Sequence, residues 1–344
     1  MDKYIHLYMS PNGPGDQRPT AEQVLKDDNL IGQLTGKTIL ITGGTAGLGT
    51  ESARVLRKSG AKVWITARTA EKGRAVAEAI SAEDTLYPDV GVVVMDLSDL
   101  NSVRAGAASF LKECPKLNVL MTNAAVMACP EARSAQGHEL QFATNHLAHF
   151  LLFHLVLPAL LAASTPTFHS RVVALSSTGH RASSIHPGNY ALADPHVYTP
   201  WLAYGQSKTA NALMANEIER RYSAQGLHAW SVHPGAIFET ALSRHQEGGA
   251  AGLQERMDAE DGEVQRMYKN TGQGAATQVW AAVGTALEGR GGLYLEDMQV
   301  SWVADRAKTV AWGGHEAYLY DEGLAERLWR DSLEMVGLPG EKEA

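Results

Sequence analysis

The chain has 344 residues, 44% apolar and 20% charged, with 38 Asp and Glu against 30 Lys and Arg and a formal net charge of -8. That composition suits a globular protein with a sizeable core, and the acidic balance offers no basic footprint for nucleic acid and little attraction to anionic membranes. Two cysteines, Cys114 and Cys129, are too few for a disulfide framework and lack metal-ligand spacing, so no metal site is expected.

The opening MDKYIHLYMSPNGPGDQRP has no apolar run of the secretory kind. A Pro/Gly-rich arm from Ser10 to Pro19 follows, and the spacing of Thr20 and Gln23 predicts a capping box starting a helix that runs to about Asn29. Residues 1–36 are therefore read as an N-terminal extension. From Lys37 the pattern becomes regular: a strand KTILIT, a helix from about Gly47 ended by Gly60, and a second strand AKVWITA. Further strand patterns are VGVVVM, LNVLMT, RVVALS, HAWSVH and GLYLE. Apolar strands alternating with helices predict an α/β doubly wound fold, with a mostly seven-stranded parallel sheet in a single domain over 37–300. The stretch from Phe150 to Ala163, broken by His154 and Pro158, is too short to cross a bilayer and reads as a buried helix. A cytoplasmic protein with no obligatory membrane partner is expected. Residues 301–344 read as a helical extension packed on the same domain, anchored by Leu324, Leu328 and Leu333.

Chemistry begins at the first strand's end. TGGTAGLG places Gly43, Gly47 and Gly49 at a strand-to-helix turn, where missing Cβ atoms let backbone approach a pyrophosphate. Where an acidic residue would bind a ribose 2′-OH after the second strand, the sequence has Ala67 and Arg68. A cation there suits a 2′-phosphate, so NADPH/NADP+ is favoured over NAD. Much later, AYGQSKTAN sets Tyr204 and Lys208 four apart, on one face of a helix capped by Thr199 with Pro200 at its first position. A lysine so placed favours the ionised phenol and moves its pKa toward the working range.

Together these segments resemble the short-chain dehydrogenase/reductase family from about Lys37 to Asp297. TGGTAGLG is similar to its cofactor loop, MDL to its adenine contact, TNAAV to its NNAG segment, RVVALSS to its serine strand, YGQSK to its Tyr-x-x-x-Lys motif and VHPG to its turn after the sixth strand. NHLAHFLLFHLVLPALL, SSTGHRAS and GGLYLED resemble the retinol-dehydrogenase-like branch, which includes fungal NADP-dependent reductases. The resemblance implies Tyr204 as general acid or base, Lys208 as its partner and ribose ligand, Ser177 polarising the carbonyl with Ser176 as competitor, and Asn145 holding a water behind Lys208. It implies cofactor contacts at Gly43, Thr45, Gly47, Leu48, Gly49, Arg68, Asp96, Leu97, Asn123, Ala124, Tyr204, Lys208, Pro234, Gly235, Ile237 and Thr240. The pattern departs at Ala125, where the family has glycine, and at Glu239, which stands where it commonly has threonine, so Thr240 needs a one-residue shift to serve.

The expected activity is NADPH-dependent carbonyl reduction or alcohol oxidation by hydride transfer, with a place in secondary metabolism. Epimerisation, dehydration or cyclisation on the same fold, or a non-catalytic scaffold, are the alternatives. Ile185, Tyr190, Leu192, Val197, Tyr198 and Trp201, with Leu242, Leu253, Met257, Met267 and Tyr268, would suit an apolar pocket for a bulky hydrophobic substrate, with EGGAAG as the hinge of its cover. Ordinary packing is the competing reading for many of them. His146 and His149 lack a carboxylate or cysteine to complete a metal site and read as core residues. By analogy, a homodimer would use the helices around Phe150 and Tyr204.

Overall fold

The computed structural model describes residues 3–194, 197–237, 262–305 and 313–340, with single positions 240, 242, 244, 255 and 259. Its strands are β1 (Thr38–Ile41), β2 (Lys62–Ala67), β3 (Gly91–Val94), β4 (Val119–Thr122), β5 (Ser170–Leu175), β6 (Leu227–His233), β7 (Leu293–Glu296) and β8 (Gln299–Val300). They form one sheet in the order β3-β2-β1-β4-β5-β6-β7-β8, parallel except for the β7–β8 pair. The eighth strand was not expected. It has only two residues and forms because Asp297 (φ 49°) and Met298 (φ 59°) both take left-handed backbone, turning the chain back on itself. Neither is a glycine, so the turn carries no sequence signature.

The central strands β4, β5 and β6 are buried along their whole length. Alternate residues face opposite layers. Leu40, Leu120 and Val172 join a core with α5 (Leu100–Glu113), α7 (Ala148–Ala163), α8 (Pro200–Tyr222) and α12 (Glu322–Met335). Ile39, Val119 and Val173 join a second core with α2 (Ala21–Asp27), α3 (Gly47–Arg57), α4 (Ala70–Ala82) and α11 (Ala276–Val283). The shorter helices are α1 (Ile5–Tyr8), α6 (Leu140–Phe142), α9 (Gly262–Met267) and α10 (Thr271–Gly274).

Several local signals act as read. Thr199 Oγ1 caps α8 through the Leu202 N–H at 3.1 Å, with Pro200 at the first position. At α2 only half of the capping box forms: Thr20 accepts from the Gln23 N–H, but the Gln23 side chain turns to Asp27. The apolar stretch read from Phe150 belongs to a longer helical run, Leu140–Ala163, of 24 residues, whose most apolar 18-residue window has a mean hydropathy of 1.8. That run is long and apolar enough to cross a membrane by length and composition. Two-thirds of its apolar window (67%) is buried inside the protein, the condition of a core helix.

Helix α12 packs across α7 and α8. The Trp329 ring lies 4.9 Å from Phe150 and 5.0 Å from His154, and the Arg221 guanidinium stacks on it at 4.8 Å. The chain itself thus covers α7 at Phe150 and His154 and the end of α8 at Arg221. Trp329→Ala should lower unfolding stability by about 3–5 kcal/mol in urea titration, the usual cost of truncating a large buried aromatic. A loss under about 1 kcal/mol would show that α12 adds little to the core.

Candidate active site

At the carboxyl edge of the sheet, the order reverses between β1 and β4, the place where loops diverge and a crevice opens. Gly43 (φ 68°) and Gly47 (φ 54°) hold left-handed backbone there. A Cβ on Gly43 would stand 2.8 Å from that of Ala124, and one on Gly49 would stand 2.4 Å from the Gly43 carbonyl oxygen. Helix α3 begins at this turn with Ala46 as N-cap and no capping side chain, whereas Thr69, Asp99, Thr199 and Asp321 cap α4, α5, α8 and α12. Uncapped N–H groups above a close-packed glycine turn fit a pyrophosphate. Thr45 and Leu48 are half-buried in the same turn.

Other expected contacts surround this cradle. Arg68 is exposed just past the end of β2, beyond the buried Ala67. Asp96 and Leu97 follow β3, where Asp96 Oδ1 accepts from the N–H and hydroxyl of Ser98. Asn123 and Ala124 act on the other flank. Asn123 Nδ2 donates to the Thr42 carbonyl at 2.9 Å, and the Ala124 N–H donates to Thr42 Oγ1 at 3.0 Å, locking the ends of β1 and β4 together. Pro234 and Gly235 (φ 94°) form the turn after β6. A Cβ on Gly47 would meet Thr240 Cγ2 at 3.0 Å, so Thr240 lies against the glycine turn. Glu239, its rival for the threonine position, lies outside the described residues.

Helix α8 carries the second half of the site. Tyr204 and Lys208 are both buried, at 3% and 2% exposure, and Lys208 Nζ stands 5.6 Å from the centre of the phenol ring. Lys208 donates to the Leu175 carbonyl at 2.9 Å. Ser177, rather than Ser176, shares the phenol's surroundings: a Cβ on Gly179 would stand 2.6 Å from Tyr204 Cε1 and 3.3 Å from Ser177 Oγ. Ser177 Oγ also accepts from the Gly179 N–H at 3.0 Å, while Ser176 donates to the Lys208 carbonyl behind the site.

Burial dominates the titration of both groups. Burial pushes the Tyr204 phenol up to about 12, with the Ser177 hydrogen bond opposing, and burial pushes Lys208 down to about 7. A lysine desolvated this far is only partly charged near neutral pH, so it supplies little field to the phenol.

Asn145 lies behind the site with its side chain engaged. It sits in a π-helical turn, Ala143–Leu147, that joins α6 to α7, a distortion common at functional sites. Its Oδ1 accepts from the Val126 N–H, and its Nδ2 donates to the Val126 carbonyl and to Ser207 Oγ, each at 2.9 Å. With its amide so engaged, the group it can offer a water is its backbone carbonyl, which already accepts from His149 Nδ1 at 2.8 Å.

Sequence reasoning passed over two glycines. A Cβ on Gly179 would stand 2.6 Å from Tyr204 Cε1, and one on Gly205 would stand 2.8 Å from the Gly179 carbonyl oxygen. Together they let the turn after β5 close onto the phenol. The signal was present as the glycine directly following the tyrosine in YGQSK. His149 and His180 were also missed as supports. His149 bridges the Asn145 carbonyl and Thr42 Oγ1, and His180 Nδ1 meets the Ser177 carbonyl at 2.6 Å. Burial holds both near 4, so they stay neutral. His146, pushed down to about 3, meets Ser332 Oγ at 2.9 Å, and no metal-binding cluster occurs among the described residues.

The residues expected to line a pocket divide. Ile185, Leu192 and Tyr268 are buried packing residues, and Tyr190 stacks on Phe142 while its hydroxyl donates to Asp331. Tyr198 reaches Glu139. Trp201 differs: it is 50% exposed, with its ring edge-on to Tyr204 at 6.0 Å. Leu253, Met257 and the expected hinge from Glu247 to Gly252 lie outside the described residues.

A buried phenol and a serine hydroxyl converging beside a nucleotide cradle are the working parts of an α/β oxidoreductase. Residues 37–193 match the short chain dehydrogenase family. Over 344 residues, 99% of each chain, this protein is 49% identical to the oxidoreductase calI of Penicillium decumbens. It is 38% identical over 314 residues to human (Homo sapiens) retinol dehydrogenase 11, covering 89% of this chain and 88% of that one. Among solved structures, an uncharacterized protein from Mycobacterium paratuberculosis superposes with a TM-score of 0.66 at 28% identity, over 92% of this chain and 98% of that one. The chain thus belongs to the short-chain dehydrogenase/reductase family, in its retinol-dehydrogenase-like branch.

Two outcomes follow from the packing. Gly179→Ala should displace Tyr204 and cut kcat by about tenfold or more while circular dichroism stays native, since small displacements of catalytic groups are costly. Unchanged kcat would show that the contact yields. For Lys208, a folded pKa near 7 against the ordinary 10.5 means that the unfolded chain binds more protons between those values. Its contribution to stability should therefore rise with pH across that window and be lost as pH falls toward 7. Urea midpoints measured against pH should show this slope reduced in Lys208→Met.

Proposed function

We propose that the protein is an NADPH-dependent carbonyl reductase or alcohol dehydrogenase acting on a bulky hydrophobic ketone, aldehyde or alcohol. The observation that carries the reading is the convergence of Ser177 and Tyr204 on the Gly179 turn, with Tyr204 held protonated by burial. A phenol in that state can give its proton to a developing alkoxide, and Ser177, accepting from the Gly179 N–H, keeps its own proton for the same oxygen. Lys208, on the same face of α8, is the residue proposed to meet the nicotinamide ribose. NADPH, when bound, supplies the hydride that completes reduction of the carbonyl carbon. The preference for NADPH rests on Arg68 beyond the strand end and on Ala67 in place of an acid.

The proposed partner is a hydrophobic small molecule, and a place in secondary metabolism is proposed with it. Cytoplasmic residence, with neither nucleic acid nor an obligatory membrane as partner, completes the reading. A homodimer would have to use surfaces outside the parts of α7 and α8 that α12 covers.

Fluorescence titration should give NADPH binding about tenfold tighter than NADH, a difference of about 1.4 kcal/mol, with Arg68→Ala abolishing the preference. Tyr204→Phe should bind NADPH normally and lose turnover. Equal affinity for the two nucleotides in wild type would remove the basis for NADPH. Turnover without stoichiometric NADPH consumption would favour non-redox chemistry.

A further inference from the structure

The N-terminal arm is tied to the body by a buried polar knot. Arg18 is 3% exposed, and its guanidinium donates to the carbonyls of Met267 (2.8 Å), Arg266 (3.3 Å) and Tyr268 at the end of α9, and to Gly13 (3.0 Å) in the arm. Its Nε holds Asp16 Oδ1 at 2.8 Å. That carboxylate oxygen also accepts from Gln273 Nε2 at 2.9 Å, while Gln273 Oε1 accepts from the N–H groups of Gly15 and Asn270. A surface tether does not need so many buried, mutually satisfied groups. This one holds residues 266–274 in place.

What that segment touches is the cofactor cradle. The Lys269 N–H donates to the Ala236 carbonyl at 3.0 Å, and its Nζ donates to the Pro234 carbonyl at 3.2 Å and to Asp297. The Lys269 side chain occupies the space a Gly235 Cβ would need, and the ring of Tyr8, from the arm, lies 5.1 Å from its ammonium. Gly274 closes the other side, since a Cβ there would stand 2.6 Å from Ile237 Cγ1 and 2.9 Å from Leu48 Cδ2. One short segment thus supports the turn at 234–237 and the start of α3 at once.

We propose that the arm braces the cofactor site, with Arg18 and Lys269 as positioning residues that hold the turn at 234–237 in its binding conformation. The inference rests on the NADPH reading above for its consequence, but the brace itself is a property of this chain. It assigns the N-terminal extension a part in nucleotide affinity rather than in targeting or substrate choice.

The test uses the full chain with Lys269→Met and Arg18→Lys, which keeps the charge but loses the planar fork. Hydrogen exchange across 235–237 should quicken in both variants while exchange in β5 and β6 stays as in wild type, and the NADPH dissociation constant should rise by about tenfold, with substrate KM at saturating NADPH little changed. Unchanged exchange at 235–237, or quickening spread evenly over the whole sheet, would overturn the brace, as would an earlier unfolding midpoint with unaltered NADPH affinity. If wild type binds no NADPH, the functional reading fails, and the exchange pattern alone decides the inference.

Discussion

Helix α8 is buried against β5 and β6 although much of its first half is polar, and the rest of the site follows from satisfying those groups. Gln206, Ser207, Lys208, Thr209 and Asn211 are all at or below 2% exposure. A buried polar group without a partner costs about 1–3 kcal/mol. The partners found are backbone groups of the loops that make the active site. Lys208 and Asn211 share the Leu175 carbonyl, Thr209 meets the carbonyls of His180 and Ser183, and Gln206 holds Tyr190 and His186. Ser207 takes Asn145. The helix that carries Tyr204 is therefore also the bolt that fixes the serine turn, the long loop after it and the π-helical turn.

The same logic explains why the site tolerates so little change in shape. Gly179 and Gly205 exist because a polar helix drawn onto a turn leaves no volume between them. On the nucleotide side, Gly43, Gly49 and Ala124 meet at similar closeness because Asn123 and the Ala124 N–H draw β4 onto Thr42. His149 links the two halves, reaching Thr42 with one ring nitrogen and Asn145 with the other. Its tautomer follows from its partners: the carbonyl of Asn145 can only accept, so Nδ1 carries the proton and Nε2 accepts from the threonine hydroxyl.

Much of this was legible in the residues. Strand runs, the glycine turn, the Thr199–Pro200 helix start and the Tyr204–Lys208 pair are all local patterns, and each formed where it was read. What was not legible has a common physical origin. The effect of Lys208 on Tyr204 was judged from spacing, but desolvation, which depends on what else is packed around the helix, dominates both groups. Which group of Asn145 is free was not visible either: its amide is taken by a neighbour distant in sequence, Ser207, and by Val126. Ile185 and Leu192 looked like pocket lining because apolar residues in a loop carry no mark of which way they face.

By itself, the sequence determined the order of the seven parallel strands and their helices, the place of the glycine turn and the pairing of Tyr204 with Lys208 on one helix, since these depend on residues near one another along the chain. Tertiary structure alone decided which serine meets the phenol, that α12 covers α7 and α8, and that an arm at the N-terminus reaches residues 266–274. Those outcomes depend on contacts between segments far apart in sequence, such as Arg18 with Met267 or Trp329 with Phe150. Periodicity and spacing describe a residue's local surroundings, whereas burial and hydrogen-bond partnership are properties of the folded whole.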